Sequence, residues 1–353
     1  MDRELQKRLR INVNLKDKFK FNGSYIDYKI ISSQGIIFSD DIDKFHSYGF
    51  LKNKGRKIFY QSWILDNKKP FIFFLHGNAE NSTTHPAFIY NCIKKGYNFI
   101  SFDQIGYGDS DGLRGIIKSF DEYIENVDIV FEYFYNKLKE NCPIFYFAGF
   151  SMGGLELLYY LIFYKKYSNS KKVESIKKGF LFAPYLKNHK RLINSFLEYY
   201  FLIFNRCFSY KKLLREDSQK AIFENDDQFY INLYKNLSDN RDFLIRRKKD
   251  IRIHRLNSNK WLSIMIKSQR EIKNKIFSSK EIDNIKNISL YFFINENDLV
   301  VDNTIVVEYC KKLGLMDNLF LQKSFYHDFL DYEDERINYF YKRFFELLEE
   351  NVG

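Results

Sequence analysis

The chain reads as an α/β protein built on a mostly parallel central sheet with helices on both sides, and three observations predict it. Short, continuous apolar runs recur at residues 70–75, 97–102 and 143–148, as suits strands buried on both faces. Helix-compatible segments alternate with these runs, the rhythm of a parallel sheet with crossover helices. A glycine-flanked serine, Gly149-Phe150-Ser151-Met152-Gly153-Gly154, stands where one run must turn abruptly into a helix.

Taken in order, residues 1–43 are polar and weakly periodic, and predict an N-terminal extension packed outside, with turns at Gly23-Ser24 and Ser39-Asp40-Asp41. Strand-like runs at 45–50 and 57–65 flank Lys52-Asn53-Lys54-Gly55, a hairpin turn because glycine accepts positive φ. A helix over 86–95 separates the strands at 70–75 and 97–102, and another spans 119–139. Further strands are expected before Ser151, at 179–183 and at 288–294, with a helix directly after the serine.

Between 185 and 276 the rhythm gives way to charged helical segments, which predict an insertion over the active edge of the sheet. The expected organisation is an extension (1–43), a core (44–184), a helical cap (185–276) and the rest of the core (277–353). Within the insertion, residues 196–204 are apolar enough to line an acyl channel or face lipid, and equally to pack the cap onto the core.

Composition narrows the function classes. No uncharged apolar run reaches the roughly 18 residues of a membrane span. The charged start, Met1-Asp2-Arg3-Glu4-Leu5-Gln6-Lys7-Arg8, lacks the apolar stretch of a secretory signal, so residence in the cytoplasm is expected. Cys92, Cys142, Cys207 and Cys310 lie far apart without a C-x-x-C pair, which predicts reduced thiols and no metal site. The net charge of +11 is spread along the chain with no nucleic-acid motif, so no nucleic-acid partner is expected. The local exception is the basic stretch from Arg246 to Arg255, which suggests peripheral contact with an anionic membrane surface.

The chemistry starts at Ser151. A serine hydroxyl is a poor nucleophile at neutral pH and needs a base, itself oriented by a third group. In folds with this elbow the order is serine, acid, histidine. Of six histidines only His189, His254 and His327 follow Ser151, and the first two fall in the insertion. His327 follows a predicted last strand at 318–322 and is the base. The run after the strand at 288–294 offers Glu296, Asp298 and Asp302 as the acid. Asp298 is chosen, since Leu299-Val300-Val301 can fix its loop, Asp302 suits the start of the next helix, and Glu296 suits solvent. Asp328, as the neighbour of His327, points elsewhere. The developing oxyanion needs donors, and the backbone amides of Asn78 and Met152 are placed to supply them. His76 then holds the loop.

These residues resemble an α/β-hydrolase, and more narrowly the lysophospholipase and monoacylglycerol lipase group. The resemblance rests on His76-Gly77-Asn78-Ala79-Glu80-Asn81-Ser82, on Asp103-Gln104-Ile105-Gly106-Tyr107-Gly108-Asp109-Ser110, on the elbow, and on Asp298 with His327. In the family the aspartate matching Asp103 is usually structural. Phe182-Ala183-Pro184 and Trp261-Leu262 are further points of likeness, whereas Asp328 and Tyr332 stand where the family often has glutamates. The resemblance implies a cofactor-independent hydrolase acting on an amphiphilic lipid ester. Thioesters, short esters or small amides would use the same residues. A catalytically silent binding protein is a further reading, against which the presence of all three triad candidates argues.

Overall fold

The computed structural model describes residues 13–167, 170–190, 227–253, 257–279, 282, 284–323, 326–332 and 335–350. The apolar stretch at 196–204, His254 and Cys207 lie outside the described residues.

Three antiparallel strands come first, β1 (Asn14–Phe21), β2 (Ser24–Ile31) and β3 (Gly35–Phe38), in a sheet of their own. Sequence reading took this region as weakly periodic, and the structure corrects it. In β1 the face of Leu15, Asp17, Phe19 and Phe21 turns inward while Lys16, Lys18 and Lys20 are exposed, the period-2 pattern of a half-buried strand. Asp17 interrupts the apolar face and obscures the signal.

The eight-stranded central sheet has the order β11-β10-β9-β8-β6-β7-β5-β4. Its strands are β4 (His46–Asn53), β5 (Arg56–Trp63), β6 (Phe71–Leu75), β7 (Asn98–Phe102), β8 (Phe145–Phe150), β9 (Ile176–Phe182), β10 (Ser289–Asn295) and β11 (Leu319–Gln322). All pairings from β7 to β11 are parallel, and β4 and β5 join antiparallel at one edge. The β4–β5 hairpin closes on Lys54 and Gly55, with φ of 48° and 80°. Two positive values in succession make the twisted turn that matches the strands, which explains glycine at the second place.

Helices α1 (Pro86–Lys94), α2 (Asp121–Leu138), α3 (Met152–Phe163), α4 (Asp227–Tyr234), α5 (Arg241–Lys249), α6 (Asn259–Ser278), α7 (Thr304–Leu313) and α8 (Arg336–Glu349) complete the described elements used below. Alternation along β6 explains the continuous apolar run. Phe71, Phe73 and Leu75 join one core cluster with residues of α2 and α3. Ile72 and Phe74 join the other, with α1, α8 and the small N-terminal sheet. Each fully buried phenylalanine contributes on the order of 2 kcal/mol relative to exposure. Strand order reverses about β6, and in such sheets the crevice beyond the carboxyl ends of the strands takes the ligand. Ser151, Asp298, His327 and the loops opening at His76 and Asp103 all follow strand ends there.

Candidate active site

Ser151 occupies the turn between β8 and α3 with φ 50° and ψ −110°, a conformation that L-residues seldom adopt. Close packing imposes it. A Cβ on Gly149 would lie 2.4 Å from the Gly153 carbonyl oxygen, and one on Gly153 would lie 2.1 Å from that of Leu75. The Ser151 carbonyl accepts from the amides of Gly154, Leu155 and Tyr185, which holds the strained turn in place.

His327 Nε2 stands 2.8 Å from Ser151 Oγ, and its Nδ1 stands 2.8 Å from Asp298 Oδ2. An ionised carboxylate only accepts, so Nδ1–H donates to Asp298, and the neutral ring accepts the serine proton at Nε2. Asp298 Oδ1 accepts the amides of Val300 and Val301 at 2.8 and 2.9 Å, which fixes the carboxylate that faces the ring. The histidine loop is pinned from two sides. Asn295 Nδ2 donates to the carbonyls of Tyr326 and His327, and the Asp328 amide donates to the carbonyl of Leu237. Glu296 is exposed, and Asp302 accepts from the Thr304 amide and pairs with Lys187 at the start of α7. Neither is hydrogen-bonded to His327.

Burial pulls the His327 pKa down, but the charge and hydrogen bond of Asp298, with Asp328 and Glu80, outweigh it and leave it raised. The neutral base therefore forms only above the ordinary histidine value of about 6.5. For hydrolysis through His327, kcat/KM is expected to rise with pH through a value above about 6.5. A pH profile with its acid limb below about 6 would contradict this assignment.

Asn78 and Met152 are near this pair in different ways. Met152 is the first residue of α3, with its amide at the helix N-terminus. Asn78 lines a cavity of about 290 Å³ together with Ser151, His327 and, from α4 and α5, Tyr230, Tyr234 and Arg247. A larger groove of about 830 Å³ lies between the β1–β2 hairpin and helices α1 and α8, but it contains neither Ser151 nor His327. His76 holds its loop, since its Nε2 accepts from the Gln104 amide while Nδ1 faces the Gly77 carbonyl. Asp103 accepts the amides of Ser82 and Asp109, joining the loops after β6 and β7.

The basic stretch differs from expectation. Arg246, Arg247 and Arg252 are buried and turned toward the core. Arg252 pairs with Asp109 at 3.0 Å and Asp250 at 2.8 Å and donates to Thr83 Oγ1, fastening the segment after α5 to the loops after β6 and β7. Arg246 pairs with Asp331 at 3.3 Å and Arg247 with Glu80 at 3.7 Å. These three guanidiniums form no exposed basic face for a membrane.

Beneath the site lies an ion cluster that sequence reasoning missed. Glu80 Oε2 accepts from the Gly77 amide at 2.7 Å and pairs with His85 Nε2 at 3.1 Å, while His85 Nδ1 pairs with Asp331 at 2.9 Å. Burial lowers the His85 pKa, but Glu80, Asp328 and Asp331 raise it well above the ordinary value. Glu80, His85 and Asp328 bring ligand-type atoms within 4.8 Å of one another, while both ring nitrogens of His85 already face carboxylates, Nε2 that of Glu80 and Nδ1 that of Asp331. His85 and Asp331 are 246 residues apart, so no local pattern joins them.

Glu156 of α3 is fully buried, accepts from Gln104 Nε2 at 2.9 Å, and has its pKa pushed up to about 8 by burial. A folded-state value above the unfolded one gives stability that is complete below the unfolded pKa and is lost as pH rises through about 8. Glu156→Gln is thus expected to gain on the wild type between pH about 5 and 9, read as the difference in Tm at each pH. A difference that does not change with pH would show that Glu156 is not held neutral.

Residues 66–335 match the family described as serine aminopeptidase, S33. Over 95 residues the chain is 33% identical to phospholipase YtpA of Bacillus subtilis (strain 168), spanning 27% of this chain and 35% of that relative. A soluble variant of monoglyceride lipase from Saccharomyces cerevisiae superimposes with a TM-score of 0.65 at 14% identity, covering 86% of this chain and 96% of that one. A thermostable carboxyl esterase from Bacillus coagulans gives 0.67 at 11% identity, covering 87% and 99%. Monoacylglycerol lipase from Paleococcus ferrophilus gives 0.60 at 19% identity, covering 79% and 95%. At these identities the structural likeness establishes the α/β-hydrolase fold.

Proposed function

The chain belongs to the serine aminopeptidase, S33, family, with the α/β-hydrolase fold, and on that premise we propose that it is a serine hydrolase of lipid carboxylic esters, of lysophospholipase or monoacylglycerol lipase type. The observation that carries this reading is the unbroken hydrogen-bonded line from Asp298 through His327 to Ser151. Ser151 Oγ attacks the acyl carbonyl as its proton passes to His327 Nε2. The amides of Asn78 and Met152 take the charge on the oxyanion. His327 delivers the proton to the leaving alcohol, which leaves an acyl-enzyme. Water, deprotonated by His327, then attacks the acyl carbon and regenerates the serine. Asp298 keeps the ring in its tautomer and stabilises the imidazolium throughout.

The lipid assignment rests on two supports. Relatives are named phospholipase and monoglyceride lipase, and the cavity beside Ser151 has apolar walls from Leu237, Ile253, Leu299 and Val300. One fold supports many activities, so the substrate needs its own test. The measurement is kcat/KM over p-nitrophenyl esters from acetyl to palmitoyl, with an acyl thioester and an aminoacyl p-nitroanilide alongside. Long acyl chains are expected to exceed acetyl by at least about tenfold, since each buried methylene contributes about 0.8 kcal/mol. A preference for acetyl, or for the anilide, would overturn the lipid assignment. Among the described residues no helix is long and apolar enough to cross a membrane. Arg246, Arg247 and Arg252 are turned inward and lend no support to contact with a lipid surface.

A further inference from the structure

We propose that the side-chain amide of Asn78 is a third donor to the oxyanion, its Nδ2–H set toward the cavity by a hydrogen-bond relay that begins on Trp261 of the cap helix α6. This deepens the serine-hydrolase reading and rests on it. Asn78 follows β6, lines the cavity with Ser151 and His327, and is partly exposed to it. Its Oδ1 accepts from the Tyr107 hydroxyl at 3.0 Å. The Tyr107 hydroxyl accepts in turn from that of Tyr123 at 3.3 Å, and the Tyr123 hydroxyl accepts from Trp261 Nε1 at 3.1 Å. All three ring residues are buried.

The donors and acceptors along this relay run one way. An indole nitrogen only donates, so Tyr123 accepts from it, and the Tyr123 hydroxyl gives its own proton to Tyr107. Tyr107 then accepts from Tyr123 and spends its proton on Asn78, whose carbonyl oxygen only accepts. The rotamer that presents Oδ1 to Tyr107 turns Nδ2 away from it, and Nδ2 has no protein partner among the described residues. Burial raises both phenols well above their ordinary range, so both remain donors at neutral pH. Met152 Sδ, 3.4 Å from the Tyr107 hydroxyl, is a weak acceptor that competes with Asn78 Oδ1 for the same proton, and the shorter contact at 3.0 Å to the stronger acceptor prevails. Trp261 is itself seated by the Ser258 cap of α6, whose Oγ accepts the Trp261 amide at 3.0 Å. The cap helix thereby takes part in shaping the oxyanion site. A side-chain donor adds to the two backbone amides, and removing one such donor costs a large factor in rate.

The test is a set of variants assayed on one p-nitrophenyl acyl ester, with Tm confirming the fold. Asn78→Ala keeps the backbone amide and is expected to lower kcat about 100-fold with KM within about threefold. Asn78→Asp keeps the acceptor for Tyr107 but loses the donor, so it should be as impaired as alanine; near-wild-type turnover would mean that Asn78 serves only to hold Tyr107. Tyr107→Phe and Trp261→Phe act through Asn78, so each is expected to lower kcat about tenfold alone and by less than about twofold in the Asn78→Ala background. Asn78→Ala within about threefold of wild type, or a Tyr107→Phe effect of equal size in both backgrounds, would overturn the proposal. Ser151→Ala separates this from the reading beneath it. Full ester turnover in Ser151→Ala removes both, whereas wild-type turnover in the Asn78 variants removes only the third donor.

Discussion

Ser151→Ala is expected to lower ester turnover by about 10⁵- to 10⁶-fold while leaving the fold intact. The size follows from the way the three groups act as a unit. Without Oγ the base has no nucleophile to activate, so only substrate binding and the oxyanion donors remain, worth roughly 10³–10⁴ over water. Stability should change little, because the serine side chain gives up one hydrogen bond to His327, on the order of 1 kcal/mol. The Ser151 carbonyl, which accepts three amides, is untouched by the substitution. Turnover of a p-nitrophenyl acyl ester and Tm, measured on the same preparation, check both halves. An alanine variant that keeps more than about one part in a hundred of the rate would place the nucleophile elsewhere.

Gly153→Ala is expected to abolish folding to the native state, although only one methyl group is added. The added Cβ would lie 2.1 Å from the Leu75 oxygen, 2.6 Å from its carbonyl carbon and 2.8 Å from the His76 oxygen. All three are backbone atoms at the end of β6, so no rotamer change relieves the overlap. Either α3 moves off the sheet or the loop bearing Asn78 is displaced, and both disrupt packing in a core that tolerates few voids. The loss should be about 4 kcal/mol or more, in the range reserved for severe core changes. Gly154→Ala is the milder comparison, since its Cβ would lie 2.8 Å from the Pro184 Cβ and no closer than 3.1 Å to any backbone atom. Soluble yield and urea midpoint should fall far more for the first substitution than for the second. Equal stability of the two would mean that strand and helix are not in such close contact.

Most of the central sheet was legible because its signals are local. Continuous apolar runs mark strands covered on both sides, and β6, β7 and β10 begin and end within a residue or two of those runs. The elbow was legible for the same reason, as glycines on either side of Ser151 answer a steric need confined to one turn. The choice among Glu296, Asp298 and Asp302 used local reasoning too, and Asp298 is the one hydrogen-bonded to His327.

Long-range pairings were not legible. Arg246 and Arg247 read as a solvated or lipid-facing charge run, yet their partners Asp331 and Glu80 come from distant loops. Glu80 lies inside a recognised motif, but its bond to the Gly77 amide depends on a loop conformation that composition does not reveal. Tyr107 stood inside a quoted motif and Tyr123 was not singled out, because a hydroxyl relay has no sequence period. In β1 the alternation was present, but Asp17 on the inward face hid it.

The account turns on a proton relay through His327, and the most direct measurement is the site and rate of labelling by an alkyl fluorophosphonate, followed by intact mass and peptide mapping. A single adduct on Ser151 is expected, formed at least about 10³-fold more slowly in His327→Gln. An adduct on another residue, no adduct on protein that hydrolyses esters, or equal labelling rates in wild type and His327→Gln would contradict it.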